Sequence, residues 1–180
     1  MKVSKEKMAE NRAIILGVAA RLFRERGFQN VTVAEIMSAA GLTHGAFPGH
    51  FKSKEDLFER ALELATHEMA AEKANSVSEY ASGYLTRAHR DSTPQGCVYS
   101  ALASEVVRGT PESRRILTAG LWKQLEALER RATGKSHEAR RQEAVTAWST
   151  MVGALILSRV VDDESLSDEI LERARIDLIR

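Results

Sequence analysis

The sequence predicts an all-α chain of nine helices, and three observations carry that reading. Hydrophobic residues make up 43% and charged residues 28% of the 180 positions, an ordinary mixture for a soluble protein. Only three prolines occur, β-branched residues are not gathered into runs, and no alternating strand pattern competes. Apolar residues instead recur at three- and four-residue spacing between helix caps and glycine stops. A chain of this length buries one respectable core, or a small domain beside a larger one.

Residues 1 to 8 read as a charged, solvated tail. A first helix from about Ala9 to Arg26 follows, with Ile15, Val18, Ala19, Leu22 and Phe23 facing inward. Arg21, Arg24 and Arg26 suit the negative end of its dipole. Gly27 stops it, and Phe28 folds back on it as the usual apolar partner of such a cap. Thr32 and Glu35 form the S/T-x-x-E pattern in which hydroxyl and carboxylate reciprocally satisfy free amides at a helix start. Val33, Ile36, Met37 and Ala40 give that second helix an apolar face, Gly41 ends it, and Leu42 turns inward. Thr43 then caps a short helix from about His44 to His50, whose small residues Gly45 and Ala46 let the backbone approach a partner. Phe47 and Phe51, four apart, anchor it to the core. Ser53 caps the next helix, with Glu55 and Asp56 at its positive end and Lys54 beside them.

Two helices joined by a tight turn, the second presenting its N-terminal residues to a major groove, is the geometry of helix-turn-helix DNA readers. The segment from Arg12 to Leu62 resembles the N-terminal domain of TetR-family transcriptional regulators. The resemblance rests on Ala19-Ala20, Leu22-Phe23, Gly27-Phe28, Thr32-Val33-x-x-Ile36, Ala40-Gly41-Leu42-Thr43 and His50-Phe51-Lys52-Ser53-Lys54-Glu55-x-Leu57. It implies a helix-turn-helix DNA-binding domain over residues 1–52 and an effector-binding and dimerisation domain over 53–180. Thr32, Thr43 and Lys54 are then expected at phosphates and His44, Gly45 and Ala46 at base edges, with Gly49 and His50 completing the surface. The partner is double-stranded DNA at a near-palindromic operator. One departure stands out: where the family nearly always carries an aromatic, usually tyrosine, this chain has Pro48. Proline removes an intrahelical hydrogen bond and clashes with the carbonyl four residues back, so a distorted or truncated recognition helix is expected.

The charge balance agrees in placement. The net charge is only +1, yet residues 1 to 56 hold nine Lys and Arg against six Asp and Glu. No apolar run approaches the roughly 20 residues needed to cross a bilayer, and the polar N-terminus is no signal sequence. No membrane association and a cytoplasmic location are therefore expected. The single cysteine excludes an intrachain disulfide and a cysteine-based zinc cluster. No catalytic set, phosphate loop or metal-spaced cluster assembles, so neither enzyme activity nor a metal or cofactor is expected.

Farther along, helices are expected from Lys54 to about Asn75, Val77 to about His89, Cys97 to Arg108, Pro111 to about Thr133 and Glu138 to Val161. A ninth, capped by Ser167, runs to the C-terminus. Asp91 to Gly96 reads as a loop and Asp162-Asp163-Glu164 as a solvated turn. The resemblance implies that the last two helices pair with those of a second copy. Trp148, Val152, Leu155 and Ile156, with Ile170, Leu171 and Ala174, are the expected homodimer interface; the alternative is packing within one subunit. Helices five to eight resemble the half that encloses a small-molecule effector. Tyr80, Tyr84, Tyr99, Trp122 and Trp148 are the candidate lining for an apolar or aromatic effector, or else plain core. Cys97 joins them, either as inert core or as a thiol activated in the first turn of a helix. The expected protein is a ligand-responsive repressor, released by an effector or by modification of Cys97. The alternative is a dimeric small-molecule-binding protein of the same fold with DNA binding impaired by Pro48.

Overall fold

The computed structural model describes residues 4–69 and 74–179. Every regular element among them is helical: α1 Lys5–Arg26, α2 Val33–Ala39, a 3-10 helix His44–Gly49, α3 Lys54–Met69, α4 Val77–Tyr84, α5 Arg87–Asp91, a 3-10 turn Thr93–Gln95, α6 Val98–Arg108, α7 Pro111–Glu129, α8 His137–Val160 and α9 Glu164–Ile179. No helix among the described residues is long and apolar enough to cross a membrane.

Local signals set most of the ends. Gly27 closes α1 at φ +79°, and its amide donates to the Phe23 carbonyl at 2.8 Å. The Phe28 ring then returns to within 5.8 Å of Phe23 and 4.8 Å of Phe58. Both halves of the Thr32–Glu35 capping box form. Gly41 adopts φ +71°, and Leu42 donates to the Met37 carbonyl at 2.9 Å, the hydrogen bond of a left-handed helix stop.

Other ends depart from expectation for identifiable reasons. The first helix starts at Lys5 rather than Ala9, because the Ser4 hydroxyl caps it by accepting from the Lys7 amide. The expected single helix from Val77 to His89 breaks at Leu85, and α5 begins again on a Thr86 cap. The last helix starts at Glu164 because the Asp163 carboxylate accepts the Leu166 amide. Ser167, expected as its cap, is instead buried inside it and donates to the Ser158 carbonyl at 2.6 Å. The expected continuation of α3 toward Asn75 lies partly outside the described residues.

One core runs the length of the protein, from Phe23, Phe58 and Leu57 near the N-terminal helices to Trp148, Met151 and Leu155 in α8. α3 packs on both α1 and α7, and so belongs to the head and to the body together. α8 lies against α4, α5, α6, α7 and α9. α3 and α7 approach closely at Gly120, where a Cβ would lie 2.6 Å from the Thr66 methyl. The Thr66 hydroxyl is turned back onto its own helix, donating to the Leu62 and Glu63 carbonyls at 3.0 Å.

Candidate functional site

The exposed edge of the head is built by α2, the turn after it and the 3-10 helix. Thr43, His44, Gly45 and Gly49 are exposed, while Ala46 and His50 are half-buried. Nothing lies within 4 Å of the Cβ that Gly45 lacks, so its backbone faces open space. Phe47 and Phe51 hold this element from beneath, with rings stacked 5.9 Å apart and both side chains buried. Arg12, which the sequence did not single out, fastens its far end: the guanidinium donates to the His50 carbonyl and lies 4.2 Å from the Phe51 ring centre. A lone arginine on the half-polar face of α1 gives no sequence signal for such a tie.

Pro48 has the effect its chemistry dictates. The element is a 3-10 helix containing the proline rather than an α-helix. Pro48 has no N–H to donate in either pattern, and the hydrogen bonds pass around it, Ala46 donating to the Thr43 carbonyl at 3.0 Å and His50 to the Phe47 carbonyl at 2.9 Å.

Two of the residues expected at phosphates, Thr32 and Lys54, also have partners within the protein. The Thr32 amide and hydroxyl both donate to the Glu35 carboxylate at 2.8 Å. Arg26 donates to the other Glu35 oxygen at 2.8 Å. This arrangement, with the Arg26 bond as its largest part, lowers the Glu35 carboxyl from 4.5 to about 2. Thr32 therefore acts first as a cap. The half-buried Lys54 has its ammonium 4.3 Å from the Phe28 ring centre.

In the body, Tyr80, Tyr84, Tyr99 and Trp148 are brought together. Trp148 has ring-centre distances of 6.4, 5.5 and 5.8 Å to Tyr80, Tyr84 and Tyr99, and all four side chains are buried. The Tyr99 hydroxyl donates to the Leu117 carbonyl at 2.8 Å. The Tyr84 hydroxyl is buried without a well-formed hydrogen bond and faces the weakly bonding Cys97 thiol. Burial pushes both phenols upward in pKa. Trp122 does not join them: it is 56% exposed, with the Arg141 guanidinium 4.6 Å from its ring centre on the outer face of α7 and α8. On α7 it lies two residues from the buried Gly120 and Gln124, about half a turn around the helix.

Cys97 lies next to this cluster but not as an activated thiol. It occupies the cap position of α6 and is only 3% exposed, and burial raises its pKa where a dipole-activated thiol would have it lowered. Its amide donates to His89 Nε2 at 3.1 Å, while His89 Nδ1 contacts the Tyr84 carbonyl at 2.8 Å. This pairing requires a neutral ring with its proton on Nδ1. Arg159 locks the same corner, donating to the His89 and Arg90 carbonyls and the Ser100 hydroxyl at 2.8 to 2.9 Å. Sequence reasoning missed it, although a single arginine inside the apolar end of α8 was a visible anomaly.

Burial lowers the His89 pKa from 6.5. A base whose folded pKa is depressed contributes stability above its unfolded pKa and loses it as pH falls. Stability is therefore expected to decline as pH drops below about 6.5. His89→Gln should flatten that part of a urea-midpoint-versus-pH profile; an unchanged slope would mean that other groups govern it.

The expected dimer face needs correcting in phase. Trp148, Leu155 and Leu171 are buried within the subunit and cannot meet a second copy. Val152, Ile170 and Ala174 are half-buried and Ile156 is at the surface. The outward stripe of α8 is completed by Val145, Leu157 and Val160, the last 73% exposed. α8 is apolar on most sides in this stretch, so periodicity alone did not choose its inner face.

Comparison with known proteins agrees with this architecture. Residues 15–61 match the family described as bacterial regulatory proteins, tetR family. The chain is 45% identical over 62 residues to the HTH-type transcriptional regulator AcrR of Shigella flexneri, covering 34% of this chain and 29% of that protein. It is 37% identical over 78 residues to the HTH-type transcriptional regulator TtgR of Pseudomonas putida, covering 42% and 37%. These matches span about a third of the length of those relatives. The crystal structure of a TetR transcriptional regulator from Chloroflexus aurantiacus superposes with a TM-score of 0.76 at 25% identity, covering 97% of this chain and 94% of that one. Residues 15–61 thus match the tetR family of bacterial regulatory proteins in sequence, and the whole length has the fold of a TetR transcriptional regulator.

Proposed function

We propose that this protein is a DNA-binding transcriptional regulator, a repressor released by a small apolar or aromatic effector. The observation that carries the reading is the exposed Thr43-His44-Gly45 edge, held on Phe47 and Phe51 at the end of a capped helix-turn-helix. Of His44, Gly45 and Ala46, only His44 has a side chain able to hydrogen-bond a base edge, so direct readout is modest and backbone contacts dominate. Two copies joined along the outward stripe of α8 and by α9 would set their heads about 34 to 36 Å apart, one turn of duplex.

The effector site of this reading is the aromatic cluster of Tyr80, Tyr84, Tyr99 and Trp148. An effector carrying a hydrogen-bond acceptor would give the buried Tyr84 hydroxyl a stronger partner than the Cys97 thiol it faces. Because α3 packs on both α1 and α7, a shift of the body around the effector carries through α3 to the head. Release requires different effector affinities in the two conformations, typically a coupling of about 1 to 3 kcal/mol. Modification of Cys97 is no part of this reading, since the thiol is buried and its pKa raised.

The test is a salt-titrated mobility shift on the DNA upstream of the gene. A regulator binds a defined site with affinity falling steeply as salt rises. A second reading, an effector-binding dimer with impaired DNA binding, is favoured by the 3-10 geometry around Pro48. Pro48→Tyr separates the two. It is expected to restore an α-helical turn, add a phosphate contact and strengthen operator binding about tenfold, near 1.4 kcal/mol. The salt slope should stay unchanged, because no charge is added. Wild-type protein that ignores its own upstream DNA even at low salt would establish the second reading.

A further inference from the structure

The 3-10 helix His44–Gly49 is sparsely secured by its own backbone. Its cap residue Thr43 makes no side-chain hydrogen bond, and Pro48 has no N–H to give. The two amides that close it, those of His50 and Phe51, both converge on the Phe47 carbonyl, at 2.9 and 3.0 Å. A helix ends in carbonyls without partners of their own, and an element this short has few bonds to hold that end. The missing restraint comes from α1. The Arg12 guanidinium donates to the His50 carbonyl and lies 4.2 Å from the ring centre of the buried Phe51, so one side chain grips the end of the element through two contacts. Met8, one turn earlier on the same face of α1, has its methyl 3.8 Å from where a Gly49 side chain would begin.

We propose that Arg12 is a positioning residue for the DNA-reading edge, supplying as a side-chain tie the restraint that the main chain loses at Pro48. By fixing His50 it fixes the pitch of the residues before it, and with them the aim of His44 and Gly45. The dependence on Arg12 follows from Pro48, since an element able to form a full α-helical ladder needs the tie less. Only the consequence at an operator rests on the DNA-binding reading; the tie itself does not.

The test begins without DNA, by amide hydrogen exchange of the full chain. Arg12→Met keeps an apolar stem beside Phe51 but neither donor nor charge. It is expected to speed exchange at the His50 and Phe51 amides about tenfold. The Leu42 amide in the preceding turn and the Gly27 amide at the end of α1 should not change. Arg12→Lys keeps the charge and a donor without the planar fork, and should fall between. In a Pro48→Ala background, where the main chain regains its N–H, Arg12→Met should speed exchange no more than about twofold. Unaltered exchange at His50 and Phe51, equal acceleration at all four amides, or undiminished acceleration beside Pro48→Ala would overturn the proposal. At the operator, Arg12→Met should weaken binding about tenfold with an unchanged salt slope. Unchanged affinity would also overturn it, and a salt slope reduced by about one with unaltered exchange would make Arg12 a phosphate contact instead. Because exchange involves no DNA, failure of the tie is distinct from failure of the regulator reading.

Discussion

Trp148→Ala is expected to lower the free energy of unfolding by about 3 to 5 kcal/mol, the usual cost of emptying a buried indole site. Trp148 is only 4% exposed and contacts three tyrosine rings, so the cavity left behind cannot be closed by one neighbour moving. Edge-to-face pairs with Tyr84 and Tyr99, at 66° and 90°, add to the area lost. Urea denaturation followed by circular dichroism measures the effect, with the midpoint falling and the slope preserved. Trp148→Phe should cost markedly less. A loss under about 1 kcal/mol for the alanine variant would mean that the indole is not a central packing element.

The second large effect belongs to the joint between head and body. Gly27 has φ +79° and ψ 163°, a combination open essentially to glycine alone, and a Cβ there would lie 2.4 Å from a Glu105 carboxylate oxygen. Gly27→Ala is expected to add about 1 to 3 kcal/mol of backbone strain. It should also displace Glu105 from the Phe28 amide, a hydrogen bond to a charged group worth about 1.5 to 3 kcal/mol. Hydrogen exchange at the Phe28 amide should accelerate alongside a lower melting temperature. Glu105→Gln keeps an acceptor but not the charge, and should show a smaller change in both. Unaltered exchange at Phe28 in Gly27→Ala would show that the carboxylate is not what protects that amide.

What the sequence disclosed was mostly what neighbours in the chain decide. Gly27, Gly41 and the Thr32–Glu35 box act within four residues, and their outcomes could be read directly. Pro48 announced a distorted helix because its effect is steric and local. The phase of α8 was not legible, since Trp148 and Leu155 turn inward while Ile156, Leu157 and Val160 look out, and all are apolar. The ties that join distant segments left no local mark. Glu105 reaches Phe28 across 77 positions, and Arg159 reaches His89 across 70. Lys54 was likewise legible as a cation near a helix start but not as one resting on Phe28.

The approach of α3 to α7 at Gly120 has a mechanical corollary. The Thr66 methyl fills the space that a side chain on residue 120 would need, so the two helices interlock at this point. A bulkier residue at 120 would act as a wedge, and its first symptom would be lost transmission rather than a lost fold.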